Sequence, residues 1–109
     1  MINMEDFLKI DMRIGTIIEA EDFTEARKPA IKLLIDFGEL GIKQSSAQIT
    51  KRYGVEKLVG KQITAVVNFP PMRIAGYKSE VLVIGGVPVD GDVILISPDE
   101  KLPNGTKIS

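Results

Sequence analysis

The sequence predicts an all-β fold: a five-stranded Greek-key barrel with one short helix after the third strand and short N- and C-terminal extensions. The chain is rich in isoleucine and valine, and only 6% of its residues are aromatic, a composition that suits pleated strands. Five apolar segments have strand-like patterns, with a helical segment between the third and the fourth. Closing such strands into a barrel hides the edges at which they would otherwise aggregate.

Length and composition limit the classes of function. With 109 residues, the chain is long enough for one domain, residues 1–109, with a real core. The absence of cysteine excludes disulfides, thiol catalysis and thiolate metal sites, and the absence of histidine excludes a Ser-His-Asp triad. We therefore predict a protein that is not an enzyme and that holds neither a metal nor a cofactor.

The net charge and the length of the apolar runs indicate which partners and which cellular location to expect. The net charge of −1 does not suggest a whole-domain nucleic-acid binder, for which a basic balance is expected, although local cationic clusters remain possible contacts. No apolar run approaches the length of a membrane span, and the N-terminus lacks a signal-peptide pattern. We predict a cytoplasmic protein without membrane insertion.

The first elements are an amphipathic turn and two strands. Residues 1–9 predict a short helical turn capped by Asn3. Residues 10–20 predict a strand with Ile14 and Ile18 on one side and Ile17 on the other, and Gly15 suggests a bulge or bend. The clearest alternation follows in residues 30–37, and its inward-facing side chains are Ile31, Leu33, Ile35 and Phe37.

The second half of the chain continues the barrel. A third strand from residue 42 leads to a helix at about residues 47–53, with Gly54 as its C-terminal stop and a further turn at 56–59. The predicted later strands are residues 63–68, a continuous strand at 80–84 and a last strand at 93–97. Turns are predicted at Gly85-Gly86, at Asp90-Gly91-Asp92, which lacks the further ligands of a calcium site, and at Pro103-Asn104-Gly105.

The segment between the fourth and fifth strands, residues 68–80, is the strongest candidate for a binding surface. It is longer than a simple hairpin needs, and Pro70 and Pro71 exclude a central strand there. Its apolar and cationic side chains predict a polypeptide-binding site of Phe69, Met72, Arg73, Ile74, Tyr77 and Lys78. The alternative interpretation is a structural corner whose apolar residues plug the barrel and whose cations are solvated.

Two further surfaces are predicted. Possible RNA contacts are Lys43, Lys51, Arg52, Arg73, Lys78 and Ser79, with Tyr53 available to stack on a base. The alternative there is a solvated face with Tyr53 anchored in the core. Apolar residues in segments too short to be stable alone predict a homodimer interface, formed by Ile2, Phe7, Leu8, Val87, Val89, Leu102 and Ile108.

Four segments carry a resemblance to a known family: residues 11–17, 42–50, 68–83 and 103–107. In order and almost without gaps, they closely resemble the CsaA family of secretion-related chaperones, a branch of the tRNA-binding-domain family of OB folds. The resemblance implies a homodimeric OB-fold protein that binds unfolded or precursor polypeptides, assists protein export and lacks enzymatic activity. It also implies the alternative, a structure-specific tRNA- or RNA-binding protein.

One departure from the wider family bears on this choice. RNA-binding members carry an Arg-x-x-Gly-x-x-Ser segment followed by Gly-Met. In this chain Arg73, Gly76 and Ser79 match, but Val81 and Leu82 occupy the Gly-Met positions. This pattern resembles the chaperone branch. Because Arg73 and Lys78 are retained, weak tRNA binding remains an alternative.

Overall fold

The computed structural model describes residues 1–109 and contains two short α-helices, one 3-10 turn (Gly38–Leu40) and nine strands. The elements in chain order are α1 (Met4–Leu8), β1 (Met12–Asp22), β2 (Ile31–Asp36), β3 (Ile42–Ala47), α2 (Val55–Leu58), β4 (Gln62–Val66), β5 (Met72–Ile74), β6 (Tyr77–Ser79), β7 (Leu82–Val83), β8 (Gly85–Gly86) and β9 (Ile94–Leu95). No helix has both the length and the apolar character needed to cross a membrane.

Five antiparallel strands form the barrel, in the order β3-β2-β1-β4-β7. Hydrogen bonds between β3 and the residues directly before β7, the two outer strands of this order, nearly close the barrel. The backbone N–H of Glu80 donates to the carbonyl of Gln44 at 2.8 Å, and the buried Ser45 hydroxyl donates to the carbonyl of Val81 at 2.8 Å. The prediction of an all-β, OB-type barrel with a short helix after the third strand is confirmed.

The alternation in β2 supplies the centre of the core. All four side chains predicted to face inward are buried, and Ile35 and Phe37 are fully inaccessible to solvent. The other strands add buried aliphatic residues to the same cluster, among them Ile17, Ile63, Val81 and Leu95. This sequence signal was reliable because the period of two is maintained over the whole strand.

The predicted alternation of the two faces of β1 was wrong from Ile18 onward. The pairing with β2 shifts between Ile17 and Glu19, so one extra residue reverses the two sides of the strand beyond Ile17. Ile17 lies before the shift and is buried opposite Ile35, whereas Ile18 is the extra residue and is exposed. The shift occurs after Gly15, which instead accommodates Phe37: a Cβ at Gly15 would lie 2.7 Å from the Phe37 ring.

The predicted helix at residues 47–53 was also wrong. Ala47 pairs with Ile31 as the last residue of β3, and residues 49–53 form a single turn in which the Tyr53 N–H donates to the Ile49 carbonyl. Gly54 precedes helix α2 instead of ending a helix, and its φ of −94° is extended. Strand pairing outweighed the local helical tendency because it closes a ladder along the whole of β2.

The late strands are shorter than predicted. The continuous strand expected at residues 80–84 is reduced to β7, and the strand expected at 93–97 is reduced to β9. Gly85 and Gly86, predicted as a turn, pair with β9. A Cβ at Gly85 would lie 2.7 Å from the carbonyl oxygen of Ile94, so glycine permits this close approach.

The segment from residue 68 to 80 contains a hairpin of its own. Strands β5 and β6 pair with each other, and Arg73 lies directly opposite Lys78. The turn residues Ala75 and Gly76 have φ values of 48° and 80°. Two consecutive positive φ values are typical of tight hairpin turns whose twist matches the strands. The cross-strand pairing places two exposed cations side by side.

Both terminal segments are held by specific hydrogen bonds. At the N-terminus, Asn3 and Asp6 form the capping box of α1, which confirms Asn3 as the cap. The Asn68 side chain then donates to the Lys9 carbonyl at 2.8 Å and accepts from the Asp11 N–H at 3.0 Å. The start of the hairpin segment therefore lies beside the end of α1.

The C-terminal segment runs along the first half of β1. The Ile14 N–H donates to the Thr106 carbonyl at 2.9 Å, after the predicted turn at residues 103–105. The amide of Gln62 fixes this turn from β4: it donates to the Leu102 carbonyl at 2.7 Å and accepts from the Leu102 N–H at 3.0 Å. One side chain therefore satisfies both backbone groups of Leu102.

Replacing Gln62 with alanine is expected to lower the free energy of unfolding by about 1–3 kcal/mol, because it removes two hydrogen bonds at a half-buried position. Urea denaturation would measure the loss, and amide exchange would show faster opening of residues 102–106. The exposed Gln48, whose side chain makes no hydrogen bond within the protein, provides the control as Gln48→Ala. Equal stability of the two variants would contradict this role of Gln62.

Candidate functional site

An open apolar groove with a volume of about 880 Å³ lies at the surface of the barrel, and 12 of its 18 lining residues are hydrophobic. It lies between the connection of β1 to β2, the end of β3, the tip of the β5–β6 hairpin and the strands β7 to β9. The side chains that define this apolar groove include Ile49, Ile74, Leu82, Val87, Val93 and Leu95.

The groove has a buried floor and an exposed mouth. Ile49 and Leu95 are buried and belong to the core cluster. Leu82 on β7 is 51% exposed and Val87 is 71% exposed. Burying such side chains against a ligand would stabilise a complex by about 25 cal/mol per Å² of apolar surface. The groove can therefore accept an apolar ligand without rearrangement of the barrel.

The connection between β1 and β2 gives the groove a charged rim. Glu25, Arg27 and Lys28 line it together with Ala26 and Ala30. A hydrogen bond from the backbone of its own loop, and secondly the charge of Lys32, hold the pKa of Glu25 below its usual range. Glu25 is thus ionised at neutral pH, and the rim carries charges of both signs.

An aromatic cluster fixes the hairpin beside the barrel. The Lys32 ammonium lies 4.7 Å from the centre of the Phe23 ring and 5.0 Å from that of Tyr77, and the two rings meet edge to face at 5.4 Å. Burial, and then the charges of Glu21 and Glu80, raise the pKa of the Tyr77 phenol. Tyr77 therefore anchors β6 and remains neutral well above physiological pH.

The structure distributes the predicted polypeptide-binding residues over different surfaces. Only Ile74 lines the apolar groove, and Tyr77 lines a second cleft next to β1 and β2. Phe69 and Met72 are 54% and 64% exposed and line neither cavity. The cations Arg73 and Lys78 are exposed on the hairpin.

The predicted RNA contacts are also divided. Lys51 and Arg52 line a third, smaller cleft, and Lys43 is half-buried on β3. Ser79 lies where the barrel closes, and its hydroxyl accepts from the Ser46 N–H at 3.3 Å. Tyr53 packs on the core and its hydroxyl accepts from the Leu95 N–H at 3.0 Å, which confirms the core-anchored alternative.

The predicted dimer residues form two groups. The first group lies in the two terminal segments, near the start of β1. In it, Ile2 and Leu8 are 73% and 60% exposed. The other members of this group, Phe7, Leu102 and Ile108, are half-buried. Val87 and Val89 lie on the connection of β8 to β9, and Val89 is fully exposed.

Sequence reasoning missed most of the groove. Leu82, Val83 and Val93 were assigned to strands without any indication that these strands lie at the edge of the sheet. No sequence pattern singled out Arg27 and Lys28, which lie in the connection between β1 and β2. The one available signal was the apolar run at residues 81–84. It directly follows the candidate binding segment 68–80 and so places aliphatic residues close to Ile74.

The chain matches the model of the family described as putative tRNA binding domain over residues 12–107. It is similar to the crystal structure of the chaperone CsaA from Bacillus anthracis str. Ames, with 71% identity, a TM-score of 0.96 and coverage of 100% of this chain and 99% of that chain. It is also similar to the CsaA chaperone protein from Picrophilus torridus, with 55% identity, a TM-score of 0.93 and full coverage of both chains.

Similarity to a much longer protein also occurs. The methionine–tRNA ligase of Methanococcoides burtonii is 35% identical over 108 residues, which are 99% of this chain but 16% of the ligase. The chain thus spans about one sixth of the length of the curated relatives that it matches.

Proposed function

The chain belongs to the family of putative tRNA-binding domains, and from this premise we propose that it is a cytoplasmic, non-catalytic chaperone that binds unfolded or precursor polypeptides as a homodimer before their export. The similarity to two CsaA chaperones of the same length supports this function. The observation that carries the proposal is the apolar groove, because an unfolded polypeptide differs from a folded one chiefly in its exposed apolar side chains.

The groove suits an extended polypeptide better than a compact small molecule. Its volume of about 880 Å³ is in the upper part of the usual range for ligand sites, yet it is open along its length. An extended segment presents alternate side chains to one side. When every second residue of such a segment is apolar, these side chains can lie against Leu82 and Val93 while the other side chains remain in water. This mode of binding reads hydrophobicity and not a particular sequence.

The test is suppression of aggregation. At stoichiometric concentration the protein is expected to keep a heat-unfolded model enzyme in solution, and fluorescence titration with apolar peptides should give saturable binding. An inert folded protein of similar size serves as the control for crowding. If aggregation continues unchanged and no peptide binds, the proposed function is wrong.

Homodimer formation is expected to depend on the N-terminal helix. Deleting Met1–Leu8 removes the exposed side chains of Ile2 and Leu8, and should yield monomer or aggregate by light scattering. The variant Glu5→Gln changes the same helix without removing apolar surface and should remain dimeric. A truncated protein that is still dimeric, with an unchanged melting temperature, would contradict this contribution.

One observation favours tRNA binding as a second candidate function. Arg73 and Lys78 lie directly opposite each other on the exposed hairpin. Like charges in this position destabilise a strand pair, and a bound anion such as a phosphate removes the repulsion. The family description itself refers to tRNA.

Replacing both cations, Arg73→Glu with Lys78→Glu, is expected to weaken binding of bulk tRNA by at least about tenfold at low salt and to flatten its salt dependence. Circular dichroism should show an intact fold, since exposed charge changes cost within about 0.5 kcal/mol. The control Lys9→Glu with Lys101→Glu makes the same change of charge elsewhere. Identical tRNA binding by all three proteins would exclude the hairpin as the RNA contact.

A further inference from the structure

The apolar groove continues into the third, smaller cleft, whose chemistry is different. This basic cleft has a volume of about 260 Å³ and lies between the end of the β1–β2 connection, the turn at residues 50–52 and the turn at Gly91. The two cavities have a common wall formed by Lys28, Gln48, Ile49 and Val93. A ligand that fills the groove therefore reaches the basic cleft at one end.

The basic cleft has an excess of positive charge. Its charged lining residues are Lys28, Lys51, Arg52 and Asp92. Lys51 lies 3.9 Å from the Asp92 carboxylate, whereas Lys28 and Arg52 have no carboxylate within 4.0 Å. Both are exposed to solvent, so their charges are available to a ligand. On the adjoining groove rim, Arg27 and Glu25 contribute one charge of each sign.

The lining argues against a single-stranded nucleic acid as the occupant. No phenylalanine, tyrosine or tryptophan lines either the groove or the basic cleft. Single-stranded nucleic acids are bound by stacking their bases on aromatic side chains beside the cationic residues. An aliphatic groove that ends at unpaired cations instead matches a chain with apolar side chains followed by carboxylates.

We propose that the basic cleft accepts carboxylate groups of acidic residues that flank the apolar segment of a bound polypeptide. The inference rests on the proposed function, since it requires a polypeptide in the groove, and it adds a preference among clients. Exposed ion pairs contribute little each, so the apolar contacts supply most of the affinity and the cleft selects between clients of equal hydrophobicity. Clients with basic flanks would be disfavoured by the same charges.

Three fluorescent peptides with one core of alternating valine and alanine test this preference. Two residues at each end are aspartate, asparagine or lysine, so that the direction of binding does not matter. With the wild-type protein at low salt, the aspartate peptide is expected to bind about fivefold more tightly than the asparagine peptide, and the lysine peptide more weakly than both. At 1 M salt, where the screening length is about 3 Å, the three affinities should converge.

A charge-matched pair of variants locates the effect. The triple variant Lys28→Gln, Lys51→Gln, Arg52→Gln should no longer bind the aspartate peptide more tightly than the asparagine peptide, because Asp92 is then the remaining charged residue of the cleft. The control, Lys57→Gln, Lys101→Gln, Lys107→Gln, removes the same charge from residues that line neither cavity and should keep the preference.

The outcomes separate this inference from the function on which it rests. If wild-type protein binds the aspartate and asparagine peptides with equal affinity, the basic cleft has no carboxylate preference and only this inference is overturned. If in addition bulk tRNA binding is lost in the cleft variant alone, the cleft is a nucleic-acid site. If none of the peptides binds, the groove does not hold polypeptides, and the proposed function and the inference both fail.

Discussion

The substitution Gly15→Ala is expected to lower the free energy of unfolding by about 1–3 kcal/mol. An added Cβ would lie 2.6 Å from the Ile35 side chain and 2.7 Å from the Phe37 ring. Both neighbours are fully buried at the centre of the barrel, so neither can move without displacing other core residues. Overpacking at this position forces the Ile35 and Phe37 side chains away from their preferred rotamers or moves β1 away from β2.

Gly86→Ala provides a matched control for this result. It is the same chemical change in another strand, but nothing lies within 4 Å of the added methyl group. Both substitutions reduce the entropy of the unfolded chain equally, a gain of about 0.4–1 kcal/mol. Urea denaturation should therefore show Gly86→Ala unchanged or slightly stabilised and Gly15→Ala clearly weakened. Equal midpoints for the two variants would contradict the close packing of Phe37 on Gly15.

The parts of the fold that the sequence predicted correctly are those determined by local patterns. Alternation in residues 31–37 identified the central core strand, and Asn3 identified the start of α1. Errors arose where contacts between residues distant in sequence determine the local structure. The bulge in β1 depends on pairing with β2, and the extension of β3 to Ala47 depends on Ile31. In both cases the local sequence of the affected strand gives no information about the distant strand with which it pairs.

The candidate site was less predictable than the fold. The composition of residues 68–80 identified a surface hairpin with two exposed cations, but only Ile74 and Ala75 of that segment line the apolar groove. The groove instead combines four segments of the chain that no sequence pattern brings together. Edge position also matters: Leu82 reads as a core strand residue, and it is exposed because β7 is the last strand of the sheet.

The double substitution Ile74→Ser with Leu82→Ser is expected to weaken polypeptide binding at least about tenfold, because each apolar side chain buried in a complex contributes about 1.5–3 kcal/mol and a tenfold change needs only about 1.4 kcal/mol. Both side chains line the apolar groove, and Leu82 is half exposed, so its loss leaves the buried core intact. Binding of an apolar fluorescent peptide and suppression of aggregation should decline together.

The matched variant Phe69→Ser with Met72→Ser decides between the groove and the surface predicted from the sequence. Phe69 and Met72 are 54% and 64% exposed, similar to Leu82 at 51%, but they lie outside the groove. We expect this variant to bind peptide within about twofold of the wild type, since it removes apolar surface that a groove-bound segment does not contact. Melting curves must show that both variants are folded. Loss of binding in the Phe69/Met72 variant, with retention in the Ile74/Leu82 variant, would place the polypeptide on the outer face of the hairpin segment, as the sequence predicted, and not in the groove.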